Sequence, residues 1–208
     1  MIAIIDYGMG NLRSVHKAFE KLGFPARVTN EADEIRSARG VVLPGVGAFG
    51  DAMKNLKREG LLEPILEAVT QGKPFLGICL GMQLLFSGSE ENGWHEGLNL
   101  LPGIVQRLPA GLKVPHMGWN QLDIQRDNPI VAGIPQASAF YFVHSYYVPA
   151  KEQDFIVAIT DYGVPIAAVV SQGNVFGLQF HPEKSSRLGL SLLKNFGGMV
   201  QSDRNSSY

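Results

Sequence analysis

The chain reads as a single α/β domain with a mainly parallel central sheet flanked by helices and antiparallel strands added in its C-terminal half. Three observations predict this. Short apolar runs alternate with amphipathic helical segments across residues 1–87, the pattern of right-handed βαβ units on a parallel sheet. After residue 88 the runs become strand-like, with few helical signals and hairpin-type breaks at Asp161-Tyr162-Gly163 and Gln172-Gly173-Asn174. Finally, 208 residues can bury roughly 70% of the unfolded surface, so one core suffices without a disulfide or metal staple.

Residues 2–5 form a first buried strand, and Asp6 to Asn11 a loop. Leu12, Val15, Phe19 and Leu22 recur at helical spacing, which predicts a helix over 12–22 stopped by Gly23. A strand at 26–29 and a short helix at 31–38 follow. Val41-Val42-Leu43 is a third apolar strand, ending in the glycine-rich loop Pro44-Gly45-Val46-Gly47-Ala48-Phe49-Gly50-Asp51. Helices are expected near 51–57 and 60–70, with Pro64 in the first turn of the second. Gly72-Lys73-Pro74 turns the chain into the strand Phe75 to Ile78, and helix formers continue from Leu80 to Phe86. A polar loop covers 87–93. Strands are then expected at 103–108, 119–124, 138–144, 155–160, 165–171 and 174–180, as antiparallel additions to the same sheet system. A helix over about 187–200 closes the domain, taken as 1–201; residues 202–208 are polar and expected to be a disordered tail.

Composition narrows the function classes. Eighteen basic and nineteen acidic residues leave a net charge of −1, and no Lys/Arg run appears, which argues against nucleic acid as a partner. No apolar run approaches the ~20 residues of a membrane helix. Met1-Ile2-Ala3-Ile4-Ile5-Asp6 lacks a basic n-region and reads as a strand, not a leader. A single cysteine excludes an internal disulfide and fits a reducing cytoplasm. No His/Cys/Asp/Glu grouping has metal-ligand spacing, so neither metal nor cofactor is expected.

That cysteine carries the chemistry. Most lone cysteines are small buried hydrophobes. Cys79, however, sits in Gly77-Ile78-Cys79-Leu80-Gly81 between an apolar strand and a helix-compatible run, the form of a nucleophile elbow. The flanking glycines remove Cβ atoms where strand and helix would collide. A helix N-terminus also favours a thiolate. A thiol nucleophile needs a base, and the base an orienter. Among five histidines, His181 ends the apolar run Gly177-Leu178-Gln179-Phe180-His181-Pro182-Glu183. In an extended segment, residues two apart project to the same side, which brings Glu183 to His181, with Pro182 keeping the segment extended. One oxyanion donor is the Leu80 N–H; the Pro44-Gly45-Val46-Gly47 loop can supply a second. Pro115-His116-Met117-Gly118-Trp119-Asn120 and Phe140-Tyr141-Phe142-Val143-His144-Ser145-Tyr146-Tyr147 are aromatic-rich, and Trp119 and Tyr141 are candidates for a docking face. His16 and His95 read as ordinary surface residues. By itself the elbow supports a hydrolase; a thiol peptidase and a non-catalytic interaction subunit are the other readings.

The elbow and Gln179-Phe180-His181-Pro182-Glu183 resemble the class I, triad-type glutamine amidotransferases, whose fold is flavodoxin-like. Further matching stretches are Ile5 to Asn11, Pro44 to Phe49, Pro115 to Asn120 and Tyr141 to Tyr146, so the resemblance spans nearly the whole chain. It implies that Cys79 attacks the side-chain amide of glutamine, with His181 and Glu183 completing a triad. It also implies that the Gly45–Gly47 loop, through Val46 and Gly47, joins Leu80 in holding the oxyanion. Gly45, Gly77, Gln83 and the segment His144-Ser145-Tyr146 are implied to bind glutamine. The resemblance is strongest to glutaminase subunits that form a heterodimer with a (β/α)8-barrel cyclase subunit. It therefore implies such a partner, contacted near Asn11, Trp119, Asn120, Tyr141 and Lys184 and fed ammonia through a channel. Glutaminase subunits of the anthranilate or pyridoxal-phosphate synthase type are the alternatives.

Overall fold

The computed structural model describes residues 1–151 and 153–202. The expectation for 203–208 lies outside the described residues. Elements alternate as expected at first: β1 (Ile2–Ile5), α1 (Leu12–Lys21), β2 (Ala26–Thr29), α2 (Ala32–Ser37), β3 (Gly40–Gly45), α3 (Phe49–Arg58), α4 (Leu62–Thr70) and β4 (Phe75–Cys79). A single turn, α5 (Leu80–Gln83), follows. Then come β5 (Phe86–Ser89), β6 (His95–Glu96), β7 (Leu101–Arg107), β8 (His116–Gln121), β9 (Asp123–Ile124), β10 (Ala139–His144) and β11 (Tyr146–Tyr147). The chain continues through β12 (Ile156–Asp161), β13 (Pro165–Gln172), β14 (Val175–Leu178) and α6 (Ser186–Ser202), so Ser202 belongs to the last helix, not to a tail.

Eight strands form the central sheet in the order β2-β1-β3-β4-β14-β13-β12-β9. β2, β1, β3, β4 and β14 pair in parallel, and β13, β12 and β9 extend the sheet antiparallel. β1, β3, β4 and β14 are buried along their whole length because both sheet faces are covered there, whereas the edge strand β2 exposes Arg27. In β1, Ala3 and Ile5 enter one core while Ile2 and Ile4 enter the other. Along α6, Leu192, Leu193, Phe196 and Val200 are buried, and Phe196 meets Phe19 of α1 at 6.2 Å between ring centroids.

Two further expectations about the fold are corrected at this level. The segment after Cys79 is not a helix to Phe86. Leu84, Leu85 and Phe86 are fully buried, and their carbonyls accept hydrogen bonds from the N–H groups of Leu98, Leu100 and Asn99 at 2.8–3.1 Å. Tertiary pairing thus takes the backbone groups that further helix would need. The strand additions are not all part of the central sheet either. β11-β7-β5-β6 make a separate four-stranded sheet, and β8 with β10 a two-stranded ribbon.

Register decides where the site lies. Gly45 at the end of β3 pairs with Cys79 at the end of β4, and Ile78 pairs with Leu178 of β14. The segments leaving all three strands therefore emerge at one carboxyl edge, where open α/β sheets bind ligands. The approach at the elbow is close. A Cβ on Gly81 would lie 1.7 Å from the Leu43 carbonyl oxygen, and one on Gly77 2.6 Å from that of Gly81. Backbone on backbone cannot yield cheaply, so Gly81→Ala should destabilise the fold by about 3 kcal/mol or more. Thermal unfolding should show Tm lower by about 6–12 °C; a shift under about 2 °C would contradict this packing.

Candidate active site

The elbow holds Cys79 at φ 55° and ψ −111°, a sparsely populated conformation for a side-chain-bearing residue. Cys79 is 6% exposed, and its sulfur lies 3.8 Å from the Val143 carbonyl oxygen. Because α5 is one turn long, its dipole adds little, and the nearby imidazole is the main charge partner.

His181 follows β14 by three residues and is 2% exposed. Its Nδ1 lies 2.9 Å from Glu183 Oε1, both side chains being almost wholly buried. The contact does not come from an extended segment. Pro182–Lys184 form a 3₁₀ turn, and the turn brings the carboxylate back under the ring. Ser185 secures that turn by donating its hydroxyl hydrogen to the His181 carbonyl at 2.7 Å. Burial alone would lower the pKa of the imidazole. Cys79 and Glu183 outweigh it, and the pKa is pushed up to about 9. Among the described residues, Nε2 of the ring and Oε2 of Glu183 have no hydrogen-bond partner. A buried ring nitrogen left open beside a thiol is free to exchange a proton with a reacting group.

A cleft of about 430 Å³ unites most of the expected residues: Val46, Gly47, Cys79, Leu80, Gln83, His144, Ser145, Tyr146, His181 and Lys184 line it. Val46 is 42% exposed, and Gly47 has φ +99°, which a side chain would strain. Gly45 is packed tightly, since a Cβ there would meet the Tyr7 hydroxyl at 2.5 Å. Gly45 and Gly77 thus act by making room in the backbone rather than by lining the cleft. Gln83 Nε2 donates to the Tyr146 carbonyl at 2.9 Å and to Gln179 Oε1 at 3.1 Å. Trp119, 55% exposed, and Tyr141 meet edge to face across the β8–β10 ribbon at 6.1 Å. Asn11 sits at the N-terminus of α1. Asn120 points inward instead, donating to the Asp161 carbonyl at 2.8 Å.

Several residues were missed in the sequence. Gln179 is fully buried, with Nε2 4.0 Å from Cys79 Sγ. A polar residue inside an apolar strand end, two before His181, was the available signal. Tyr7 donates to the Pro44 carbonyl at 2.9 Å and so pins the start of the glycine loop; burial, then the charge of Cys79, raises its pKa. Glu91 Oε2 accepts from the Phe49 N–H at 2.7 Å just beyond that loop and also lines the cleft. Nothing local marks Tyr7 or Glu91, because each meets the loop only through the fold. His95 is not in a loop: it lies in β6, and its ring packs where a Cβ on Gly50 would be.

Comparison with known proteins settles the family. The class I glutamine amidotransferase model matches residues 3–198. The chain belongs to this family. It is 57% identical to imidazole glycerol phosphate synthase subunit HisH of Moorella thermoacetica over 207 residues, covering 100% of this chain and 99% of that one. Identity to the same-named subunit of Geobacter sulfurreducens is 54%, over 95% of this chain and 98% of the relative. Among solved structures, a glutamine amidotransferase superposes with TM-score 0.75 at 18% identity, covering 97% of this chain and 100% of that one. PurLQS from Thermotoga maritima gives 0.74 at 23% identity, covering 98% of each chain. At these identities the structural likeness speaks for the fold. The α/β architecture with its mainly parallel sheet is that of the amidotransferases, and the chain is a glutamine-hydrolysing enzyme.

The ring of His181 should titrate near pH 9 by NMR. Glu183 raises that pKa, so Glu183→Gln should lower the midpoint, by about 1–3 units. A midpoint unmoved by this change would contradict the buried pair.

Proposed function

We propose that the chain is the glutaminase subunit of an imidazole glycerol phosphate synthase, working without a cofactor in the cytoplasm. The observation that carries this reading is identity above 50% to subunits of that name along essentially the whole chain. The cleft chemistry agrees with it.

In this reading the Cys79 thiolate attacks the γ-carbonyl carbon of glutamine. The new C–S bond pushes the carbonyl electrons onto oxygen. The Leu80 N–H and a peptide N–H of the Gly45–Gly47 loop, at Val46 or Gly47, stabilise that oxyanion. The C–N bond then breaks, and the nitrogen leaves as ammonia after taking a proton from His181 Nε2. Water, deprotonated by the now neutral ring, attacks the γ-glutamyl thioester and releases glutamate and the thiol. Glu183 holds the ring and compensates its charge in the ion-paired state. Gln83 and the backbone of His144-Ser145-Tyr146 hold the glutamine.

The ammonia serves a (β/α)8-barrel cyclase subunit that makes imidazole glycerol phosphate and an aminoimidazole carboxamide nucleotide. Asn11, Trp119, Tyr141 and Lys184 mark the docking region, with Asn120 on the inner side of the same strand as Trp119. Exposed Met117 and Trp119 on the outer face of β8 suit burial by a partner. A closed path between the subunits suits the chemistry, because ammonium, dominant in neutral water, is not a nucleophile.

Glutamate release measured with the barrel subunit and its nucleotide ligand tests the reading. Cys79→Ala should lower the rate by at least about a thousandfold; activity surviving it would rule out the thioester route. The rate should also fall above about pH 9, as His181 loses the proton it must deliver. In Glu183→Gln that alkaline limb should move to lower pH. The Gly45–Gly47 loop can turn its N–H either way, so the chain without its partner should be slower by about 10²–10³-fold, the value of one oxyanion donor. Equal rates with and without the partner would refute the loop as a switch.

A further inference from the structure

Beside the triad lies a second set of buried polar groups whose hydrogens can be placed one at a time. His144 Nδ1 is 2.8 Å from the Tyr146 carbonyl oxygen. A carbonyl oxygen only accepts, so Nδ1 carries the hydrogen and Nε2 is bare. That bare nitrogen lies 2.9 Å from His116 Nδ1, which must therefore donate. His116 Nε2 is left as an acceptor, and Asn120 Nδ2, a donor, faces it at 3.2 Å. The amide orientation of Asn120 is independently set, because its Oδ1 accepts from the Gln121 N–H and its Nδ2 donates to the Asp161 carbonyl, each at 2.8 Å. The hydrogen bonds thus run one way, from Asn120 through His116 and His144 to the Tyr146 carbonyl. The same carbonyl accepts from Gln83.

Both rings are held in place and kept neutral. The ribbon register sets His116 directly opposite His144. His116 stacks on Phe142 at 4.9 Å and on Tyr162 at 4.0 Å, with interplanar angles of 17° and 21°. Burial lowers the pKa of His144 to about 3 and of His116 to about 4, so at neutral pH neither ring takes a second proton.

We infer that His116 is a positioning residue for the glutamine pocket: through His144 it fixes the Tyr146 carbonyl, and with it the Gln83 side chain. This rests on reading the cleft as a glutamine site. His116 is 3% exposed and does not line the cleft, so it acts through its neighbours. The link onward to the thiol is weak, Gln179 Nε2 lying 4.0 Å from Cys79 Sγ. The effect should therefore fall on substrate binding more than on the chemical step.

His116→Phe keeps the stacking and loses both nitrogens; His116→Asn keeps a donor near the Nδ1 position. With the barrel subunit present, His116→Phe should raise the KM for glutamine about tenfold, the size of one buried hydrogen bond. Its kcat should change by less than about twofold, and His116→Asn should recover most of the loss. Alkylation of Cys79 by iodoacetamide, which needs the thiol but not the glutamine pocket, should proceed at the wild-type rate in both. In the wild type, nitrogen NMR should find both rings protonated on Nδ1 alone. A wild-type KM in His116→Phe, an equal loss in both variants, a parallel fall in alkylation, or a hydrogen on Nε2 of either ring would each overturn the inference. If the wild-type complex releases no glutamate, the functional reading fails and this inference with it; an active wild type with an unaltered His116→Phe overturns this inference alone.

Discussion

Everything at the site depends on the close approach of β4 and its elbow to β3. The Leu43 carbonyl oxygen occupies the space where any side chain at Gly81 would begin, and Gly81 in turn closes over Gly77. Only a backbone without Cβ atoms can turn that sharply, and the turn forces Cys79 to φ 55°. The strain is held by fully buried strands on either side, β3 and β14. Parallel pairing then brings the glycine loop after β3 and the His181 segment after β14 to the same edge as the thiol. A rigid sheet supplies positions, and short irregular segments supply the reacting groups.

Dryness is the second determinant. His181 and Glu183 are out of water, so their mutual attraction is weakly screened and competes successfully with the cost of burying charge. The same burial has the opposite outcome at His116 and His144. Among the described residues they have no carboxylate partner, and both are driven neutral. Around one cleft, therefore, one ring holds its proton and a neighbouring pair refuses a second one. The difference comes from Cys79 and from the Pro182–Lys184 turn, which together bring a thiol and a carboxylate to one imidazole and not to the other two.

The β8–β10 ribbon shows how a small element serves two sides. Alternation along β8 sends Met117 and Trp119 outward and His116 and Asn120 inward. The outer residues form the apolar part of the region proposed for docking. The inner ones feed hydrogen bonds toward Tyr146 and Gln83. Because strand residues alternate strictly, the docking face and the polar chain behind it share one backbone.

The sequence by itself determined the βα alternation, both hairpin breaks, the elbow at Cys79, and His181 with Glu183 as its companions. These features are local: apolar period, glycine spacing and a three-residue motif are written within a few positions of one another. Tertiary structure decided the rest. The run after Cys79 is helical in its preferences, yet it stops after one turn because the segment around Leu98–Leu101 takes its carbonyls. The late strands alternate well enough to be recognised, but which sheet each joins depends on partners far along the chain. Tyr7 and Glu91 carry no local mark of a site, and the order His116, His144, Tyr146, Gln83 exists only in space. A hydrogen bond needs a partner at about 3 Å, and that distance between remote residues is a property of the fold alone.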